Sequence, residues 1–389
     1  MTVAAAEPDV VQSLLREVLS ARGRVSDINL TVGRAPQMEA DGRLVAVPGR
    51  APLTGEDTTR LVTTLLGEEK RLWDDLHANG SCDCAYALAG GPRFRVNVFK
   101  TCGHFGVVLR VLPSEVPTLE SLKLPPILDE IAGLANGLVL VTGATGSGKS
   151  TTLAAVIDRI NRTKAVHVLT LEDPIEFRHP HKTATVNQRE LGSDFTSFAA
   201  GLRAALRQAP KVILVGEIRD RDTVEIALKA AETGHLVLST MHTIDAGQTV
   251  NRIVGMFEAD EQRVIRGRLA DTLRMVVSQR LLPRESGGRV AALEVMGNNL
   301  PVREMIKLGE KPDRTFYDLI GDGARVGWQT FDQHITRLLA EGAISEETAF
   351  TYCTDKSVVR RAVDQLKNKR GESTSDLGDL QMDRPIRRK

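Results

Sequence analysis

Residues 138–150 read Leu138-Val139-Leu140-Val141-Thr142-Gly143-Ala144-Thr145-Gly146-Ser147-Gly148-Lys149-Ser150, an apolar run followed by the spacing Gly-x4-Gly-Lys-Ser. The glycines let the backbone curl so that successive N–H groups face phosphate oxygens, and a helix beginning near Lys149 adds the positive end of its dipole. In such a P-loop Lys149 reaches the β- and γ-phosphates and the Ser150 hydroxyl holds Mg²⁺. The apolar run supplies the strand before the loop, and Thr152-Leu153-Ala154-Ala155-Val156-Ile157 supplies the helix after it. Strand, loop and helix together predict an α/β domain that binds a nucleoside triphosphate. Gly143, Ala144, Thr145, Gly146, Ser147, Gly148, Lys149, Ser150 and Thr151 are the expected contacts.

Outward from this stretch, strand-like apolar runs alternate with helical ones at Val166–Leu171, Val212–Val215 and Leu236–Thr240. Continuous apolar strands separated by helices predict a parallel sheet covered on both faces. After Glu258 the pattern predicts helix throughout, as in Leu269, Leu273, Val276 and Val277 and later in Ile335, Leu338 and Leu339. The first stretch, to about Val111, combines an amphipathic helix pattern (Val10, Val11, Leu14, Leu15, Val18, Leu19) with short alternating runs at Asp27–Val32 and Phe94–Phe99. It predicts a small α+β domain. Periodicity stops around Leu112–Pro117, where Pro113 and Pro117 favour an extended connector. The expected division is a first domain over 1–112, a linker over 113–122, a second domain over 123–367 and a polar, disordered tail over 368–389.

A chain of 389 residues exceeds one ordinary core and predicts two or three domains. A formal net charge of +1 gives no sign of a nucleic-acid or membrane-surface protein. Met1–Asp9 has no basic segment, so a secretory signal is not expected, and no apolar stretch approaches the length of a bilayer span. Cys82, Cys84, Cys102 and Cys353 are too scattered for a disulfide scaffold and lack zinc-site spacing, which predicts free thiols in a reducing cytoplasm.

Hydrolysis needs a group that orients water and help in holding the metal. Val212-Ile213-Leu214-Val215-Gly216-Glu217 is an apolar strand ending in a carboxylate, where the C-terminal edge of a parallel sheet faces nucleotide. Glu217 is the candidate base or water-positioning residue. Gly216 stands where a P-loop ATPase usually carries Asp, so another acid must assist the magnesium. Glu172, Asp173 and Glu176 in Glu172-Asp173-Pro174-Ile175-Glu176 follow a second strand and are available for that. His235 and His242 flank the strand Leu236–Met241, and one imidazole is a candidate donor to the terminal phosphate.

These residues resemble, in content and order, the secretion ATPases of type II secretion and type IV pilus systems. The shared pieces are the P-loop (Gly143–Ser150), the acidic box (Glu172–Glu176), the Walker B end (Gly216–Asp220) and the histidine box (His235–His242). Within that family the chain looks most like the pilus-retraction ATPases of twitching motility. The resemblance implies a PAS-like N-terminal α+β domain, then a RecA-like P-loop ATPase domain with a helical C-terminal region. It implies ATP and Mg²⁺, with Ser150, Glu172 and Asp173 at the metal and Glu217, Glu172, Glu176, His242, Arg95 and Arg110 in catalysis. Arg203 and Arg207, spaced i and i+4, are further candidates at subunit contacts. The implied partners are five further copies in a homohexamer, an inner-membrane pilus platform protein and, indirectly, the pilin. No nucleic acid and no membrane insertion are expected, and the implied location is the cytoplasm, at the inner face of the membrane.

Two departures stand out: Arg207-Gln208-Ala209-Pro210-Lys211, where two acids are usual, and Pro301-Val302-Arg303-Glu304-Met305-Ile306, the counterpart of a retraction-associated motif. Pro301 suits a helix start, and Val302, Met305 and Ile306 make an apolar face that either packs inward or transmits movement. Rival readings are an extension or secretion ATPase, which usually carries an extra N-terminal domain and a four-cysteine insert, and an accessory subunit acting beside another motor. A nucleic-acid translocase on the same core predicts an aromatic-bearing basic channel, whereas aromatics are 4% of this chain.

Overall fold

Val11, Leu14, Leu15 and Val18 recur at helical spacing, and in the computed structural model, which describes residues 10–21, 25–40 and 43–370, they form the buried face of Val10–Ala21 (α1). The strands that follow are Val25–Leu30 (β1), Gln37–Ala40 (β2), Arg43–Ala46 (β3), Ser81–Ala87 (β4), Arg93–Thr101 (β5) and His104–Val111 (β6). They make a six-stranded sheet in the order β3-β2-β1-β6-β5-β4, with every pairing antiparallel. Between β3 and β4 lie the helices Gly55–Leu66 (α2) and Lys70–Asn79 (α3). Thr54 and Asp57 start α2 with a reciprocal capping box, which satisfies N–H groups the helix itself leaves open. One face of the sheet and the helices bury Ile28, Met38, Leu61, Leu76, Phe94, Val96 and Leu109 together, each worth about 1.5–3 kcal/mol of burial. This first compact unit runs to Val116 and also takes in Asp173–His179.

The second unit runs from Pro117 to Glu172 and from Pro180 onward. Asp129–Gly133 (α4) precedes Gly137–Thr142 (β7), and the chain continues through Lys149–Thr163 (α5), His167–Glu172 (β8), Thr185–Glu190 (β9), Phe198–Ala205 (α6), Val212–Val215 (β10), Arg221–Glu232 (α7), Leu236–Met241 (β11), Ala246–Val254 (α8) and Gln262–Thr272 (α9). It then runs through Leu273–Pro283 (β12), Arg289–Gly297 (β13), Leu300–Leu308 (α10), Phe316–Asp322 (α11), Phe331–Ala340 (α12), Glu346–Tyr352 (α13) and Lys356–Arg370 (α14). The seven-stranded sheet is ordered β13-β12-β7-β11-β10-β8-β9. Only β13 runs antiparallel to its neighbour; the other pairings are parallel. Successive residues of β7 go to opposite sides, Leu138 and Leu140 into one apolar cluster and Val139 and Val141 into another. Both faces are covered, as the continuous apolar strands predict.

Two expectations need correction. The region after Glu258 is not helical throughout: Leu273, Val276 and Val277 lie on β12, and Gly288–Met296 turns into β13. The spacing of Leu269, Leu273, Val276 and Val277 fits a helix face, but the apolar run Met275-Val276-Val277 of β12 is too short to show a period of its own. Here α9 passes into β12 at Leu273 with no Gly or Pro between them. The tail expected from Asn368 is also shorter at its start, since 368–370 still belong to α14; the remainder, 371–389, lies outside the described residues. Among the described residues no helix is long and apolar enough to cross a membrane.

The C-terminal helices pack on β12 and β13 through Phe331, Ile335, Leu338, Val359 and Val363. Asp332, fully buried, accepts hydrogen bonds from the Tyr317 hydroxyl (2.7 Å) and from the backbone N–H groups of Thr354 (2.7 Å) and Asp355 (2.9 Å). One carboxylate thereby ties α11, α12 and the start of α14.

Candidate functional site

Because β7, β11, β10 and β8 are parallel and in register, Thr142, Met241, Val215 and Leu171 end at one edge of the sheet. The P-loop, the His242 loop, Gly216-Glu217 and Glu172 all leave from that edge, the side on which open parallel sheets bind ligands. Sheet topology thus gathers motifs far apart in sequence.

The loop Gly143–Gly148 leads into α5, whose first residue is Lys149. Lys149 is 8% exposed, and its Nζ donates to the carbonyls of Gly143 (2.8 Å) and Ala144 (3.0 Å). The ammonium is held over its own loop. Ser147 Oγ is buried with no hydrogen-bond partner among the described residues, an orphan that a phosphate oxygen would satisfy. Ala144, Thr145 and Ser150 are exposed and Thr151 half-buried.

Glu217 stands just beyond β10. Its carboxylate accepts from Arg219 Nη2 at 2.8 Å and meets His242 Nε2 at 2.9 Å. Burial pushes this carboxyl up, but hydrogen bonding and charge from Arg219, with His242 adding to both, outweigh it and hold the group below the usual glutamate range. It is therefore an anion at neutral pH, able to accept from water. The strand end is rigid: Thr240 Oγ1 donates to the Gly216 carbonyl (2.7 Å), Ser239 Oγ to that of Val215 (2.7 Å), and the Ile218 N–H to that of Thr240 (3.1 Å). Gly216 explains itself, since its N–H donates to Leu171 O at 2.7 Å and a Cβ there would stand 3.1 Å from the same oxygen. An aspartate at this position would make a tight contact with the end of β8.

Of the two histidines only His242 reaches the carboxylate. His235 lies at the opposite end of β11, where its Nδ1 is 3.0 Å from the Ala230 carbonyl, closing the turn after α7. Glu172, at the end of β8, accepts from Thr170 Oγ1 (2.6 Å) and Gln188 Nε2 (3.0 Å). Asp173 is exposed and Glu176 half-buried, and both belong to the first unit, where the Ile175 carbonyl accepts from Arg93 Nη1 (2.9 Å). No group of three or more His, Cys, Asp and Glu side chains is gathered for a metal among the described residues. The donor set still fits Mg²⁺, which keeps most of its water and takes one or two protein oxygens beside phosphate; the exposed Ser150 hydroxyl offers one.

In the first unit Arg95 and Arg110 sit directly opposite each other on β5 and β6, both exposed. Arg110 Nε pairs with Asp27 Oδ1 at 2.8 Å. Arg203 lies on α6 and reaches only to within 3.9 Å of Asp222, whereas Arg207 falls beyond the end of α6. The chain keeps turning past Ala205, with the Leu206 and Arg207 N–H groups donating to the carbonyls of Leu202 (3.3 Å) and Ala204 (3.0 Å), so Arg207 sits in the turn that closes the helix carrying Arg203.

Sequence reasoning missed Gln279 and Glu294. Gln279, 3% exposed on β12, donates from Nε2 to the Ser147 carbonyl (2.6 Å) and accepts from Thr152 Oγ1 (2.7 Å). Beside it Ser278 Oγ is 3.1 Å from Thr142 Oγ1 and 3.4 Å from Glu294 Oε1, and Glu294 accepts from the Ala246 N–H at the start of α8 (2.9 Å). The available signal was polar residues inside apolar runs, Ser278-Gln279-Arg280 and Ala292-Leu293-Glu294-Val295.

Burial pushes the Glu294 carboxyl up to about 7; the Ala246 N–H opposes that and Asp245 adds to it, while Arg280 and Ser278 oppose. The folded chain binds this proton more tightly than the unfolded one, so the contribution is complete below about pH 4.5 and is lost as pH rises through 7. Glu294→Gln keeps an oxygen for Ala246 and removes the buried charge. We expect it to match the parent at pH 5 and to exceed it by on the order of 2 kcal/mol at pH 8. Melting curves of both proteins at the two pH values test this; a constant gap would contradict it.

The family model for "Type II/IV secretion system protein" matches residues 86–302. The type IV pilus retraction ATPase PilT of Pseudomonas aeruginosa is 42% identical over 85% of this chain and 94% of its own. The type IV pilus ATPase PilU of the same organism is 39% identical over 90% of each. The crystal structure of the pilus retraction motor PilT with bound ADP superposes with a TM-score of 0.83 at 41% identity, covering 91% of this chain and all of that one.

Proposed function

The chain belongs to the type II/IV secretion system protein family, and from that premise we propose that it is an ATP-hydrolysing hexameric motor that powers type IV pilus retraction. The observation that carries hydrolysis is the anionic Glu217 carboxylate, held by Arg219 and His242 at the sheet edge from which the P-loop emerges. Retraction rests on likeness to the retraction relative along nearly all of its length.

In this reading the second unit is a RecA-like domain and the first a PAS-like domain that contributes arginines. Loop N–H groups and Lys149 bind the ATP phosphates. Mg²⁺, when held by Ser150 with Glu172 or Asp173, supplies charge neutralisation to those phosphates. Glu217 orients a water for in-line attack, and His242 fixes the carboxylate and faces the terminal phosphate. Arg95 and Arg110 neutralise charge that develops in the transition state. Glu176 is an auxiliary acid. The ring works in the cytoplasm against an inner-membrane platform protein, which in turn releases pilin from the fibre.

Deleting the gene should leave cells with excess surface pili and no surface motility; cells without pili would assign the chain to extension instead. The PilU relative favours a second reading, an accessory motor, under which deletion alone leaves motility nearly intact.

Val302, Met305 and Ile306 are buried in the core, while Leu300 and Leu308 are 77% and 71% exposed. The apolar face of α10 is therefore packing. Arg303 itself is half-buried, with its Nε shielded from solvent; Arg303→Ala leaves Val302, Met305 and Ile306 in place, and it is expected to keep ATPase rate and ring assembly while abolishing twitching, with a melting curve showing whether the lost packing matters. Normal motility in that variant would return α10 to a structural role.

A further inference from the structure

Gln279 lies on β12, outside every nucleotide motif, yet its side-chain amide is spent wholly on the P-loop and its helix. Nε2 donates to the Ser147 carbonyl at 2.6 Å, and Oε1 accepts from Thr152 Oγ1 at 2.7 Å in the first turn of α5. The amide is buried, so water does not replace either bond. The contact is close enough to dictate sequence: Gly148 has φ +88°, and a Cβ there would stand 2.7 Å from Gln279 Nε2. Gln279 reaches this place because β12 pairs with β7, the strand that feeds the loop, with Ser278 opposite Thr142.

A trans peptide carries its C=O and the following N–H in opposite directions. Anchoring the Ser147 carbonyl on Gln279 therefore turns the Gly148 N–H away from β12. Phosphate binding in such loops depends on several backbone N–H groups facing one side together, and the 147–148 peptide, free of side-chain constraint at Gly148, has no local reason to hold one orientation. We propose that Gln279 is a positioning residue for nucleotide binding, locking the 147–148 peptide so that the Gly148 N–H faces the phosphates. Thr152 completes the device by fixing which end of the amide points at Ser147, since a hydroxyl bound to Oε1 leaves Nε2 for the carbonyl.

This inference rests on the P-loop being the nucleotide site, and the unmodified full-length chain controls for that by binding fluorescent ADP or not. Gln279→Glu is isosteric and, assayed at alkaline pH where the buried carboxyl is ionised, replaces the donor facing Ser147 O with an acceptor, which repels that carbonyl and rotates the peptide. Fluorescent-ADP titration, ATP turnover and melting temperature are measured on the parent, Gln279→Glu and Thr152→Val. The expected result is an ADP Kd raised about tenfold in Gln279→Glu and about threefold in Thr152→Val, with KM for ATP rising in step and kcat changing less. Unchanged Kd in both variants, with the parent binding normally, overturns the proposal. If Gln279→Glu fails to fold, Thr152→Val decides: weakened ADP binding at an unchanged melting temperature supports the positioning role. Normal binding leaves Gln279 a packing residue.

Discussion

Glu217→Gln is expected to leave ATP bound while turnover falls about 10²- to 10⁴-fold, the range a positioned base contributes. The variant retains shape and loses charge, so the water at Glu217 is no longer drawn to an anion. Arg219 and His242, which meet the two carboxylate oxygens at 2.8 and 2.9 Å, are left with one amide oxygen and no anion between them. Lys149→Ala should behave differently, losing hydrolysis and weakening nucleotide affinity on the order of 10- to 100-fold, the worth of a charge-assisted bond to phosphate. It also leaves the Gly143 and Ala144 carbonyls without their donor, which loosens the loop. In the proposed mechanism the separation is diagnostic, since Lys149 would contact phosphates already in the ground state whereas Glu217 would act on the attacking water. Affinity and single-turnover rate for each variant test it. Near-normal turnover in Glu217→Gln would remove that residue and make Glu172 or Glu176 the base.

Arg95→Ala and Arg110→Ala should each cut turnover by about 10²- to 10³-fold with little effect on nucleotide affinity, the signature of charge stabilisation confined to the transition state. The two differ in readiness. Arg110 is held by Asp27, while Arg95 has no ion pair or hydrogen bond from its side chain to another described residue. Asp27→Asn is therefore expected to mimic part of the Arg110 defect and to leave Arg95 working. The purified chain should run as a hexamer with an ATP analogue, and Arg95→Ala should keep that assembly. A strictly monomeric parent with full turnover would sink the ring, and equal losses of affinity and turnover would make the arginines binding residues.

The phosphate-binding stretch was legible because everything it needs is local. The strand Gly137–Thr142, the glycines and the start of α5 at Lys149 are neighbours in sequence, and backbone N–H groups do the binding. The strands β8, β10 and β11 were legible for a related reason, since their apolar runs are bounded by polar turns. So was Glu217, a carboxylate closing such a run. The strands β12 and β13 were not, because their short apolar runs carry no period of their own, and only their place between β7 and the C-terminal helices declares them.

Sequence by itself determined the P-loop, its strand and helix, and the carboxylate that closes β10, since short-range sterics and hydrogen bonding specify each. Only the tertiary structure decided that His242 rather than His235 meets Glu217, for the two stand at opposite ends of one strand and the parallel sheet exposes just one end to the loop. It also decided that Gly216 lies tightly against Leu171, and that Gln279 grips Ser147 from a strand distant in sequence. Those contacts follow from which strands lie side by side, and strand order is set by burying both faces of the sheet at once, a condition that no single segment of the chain contains.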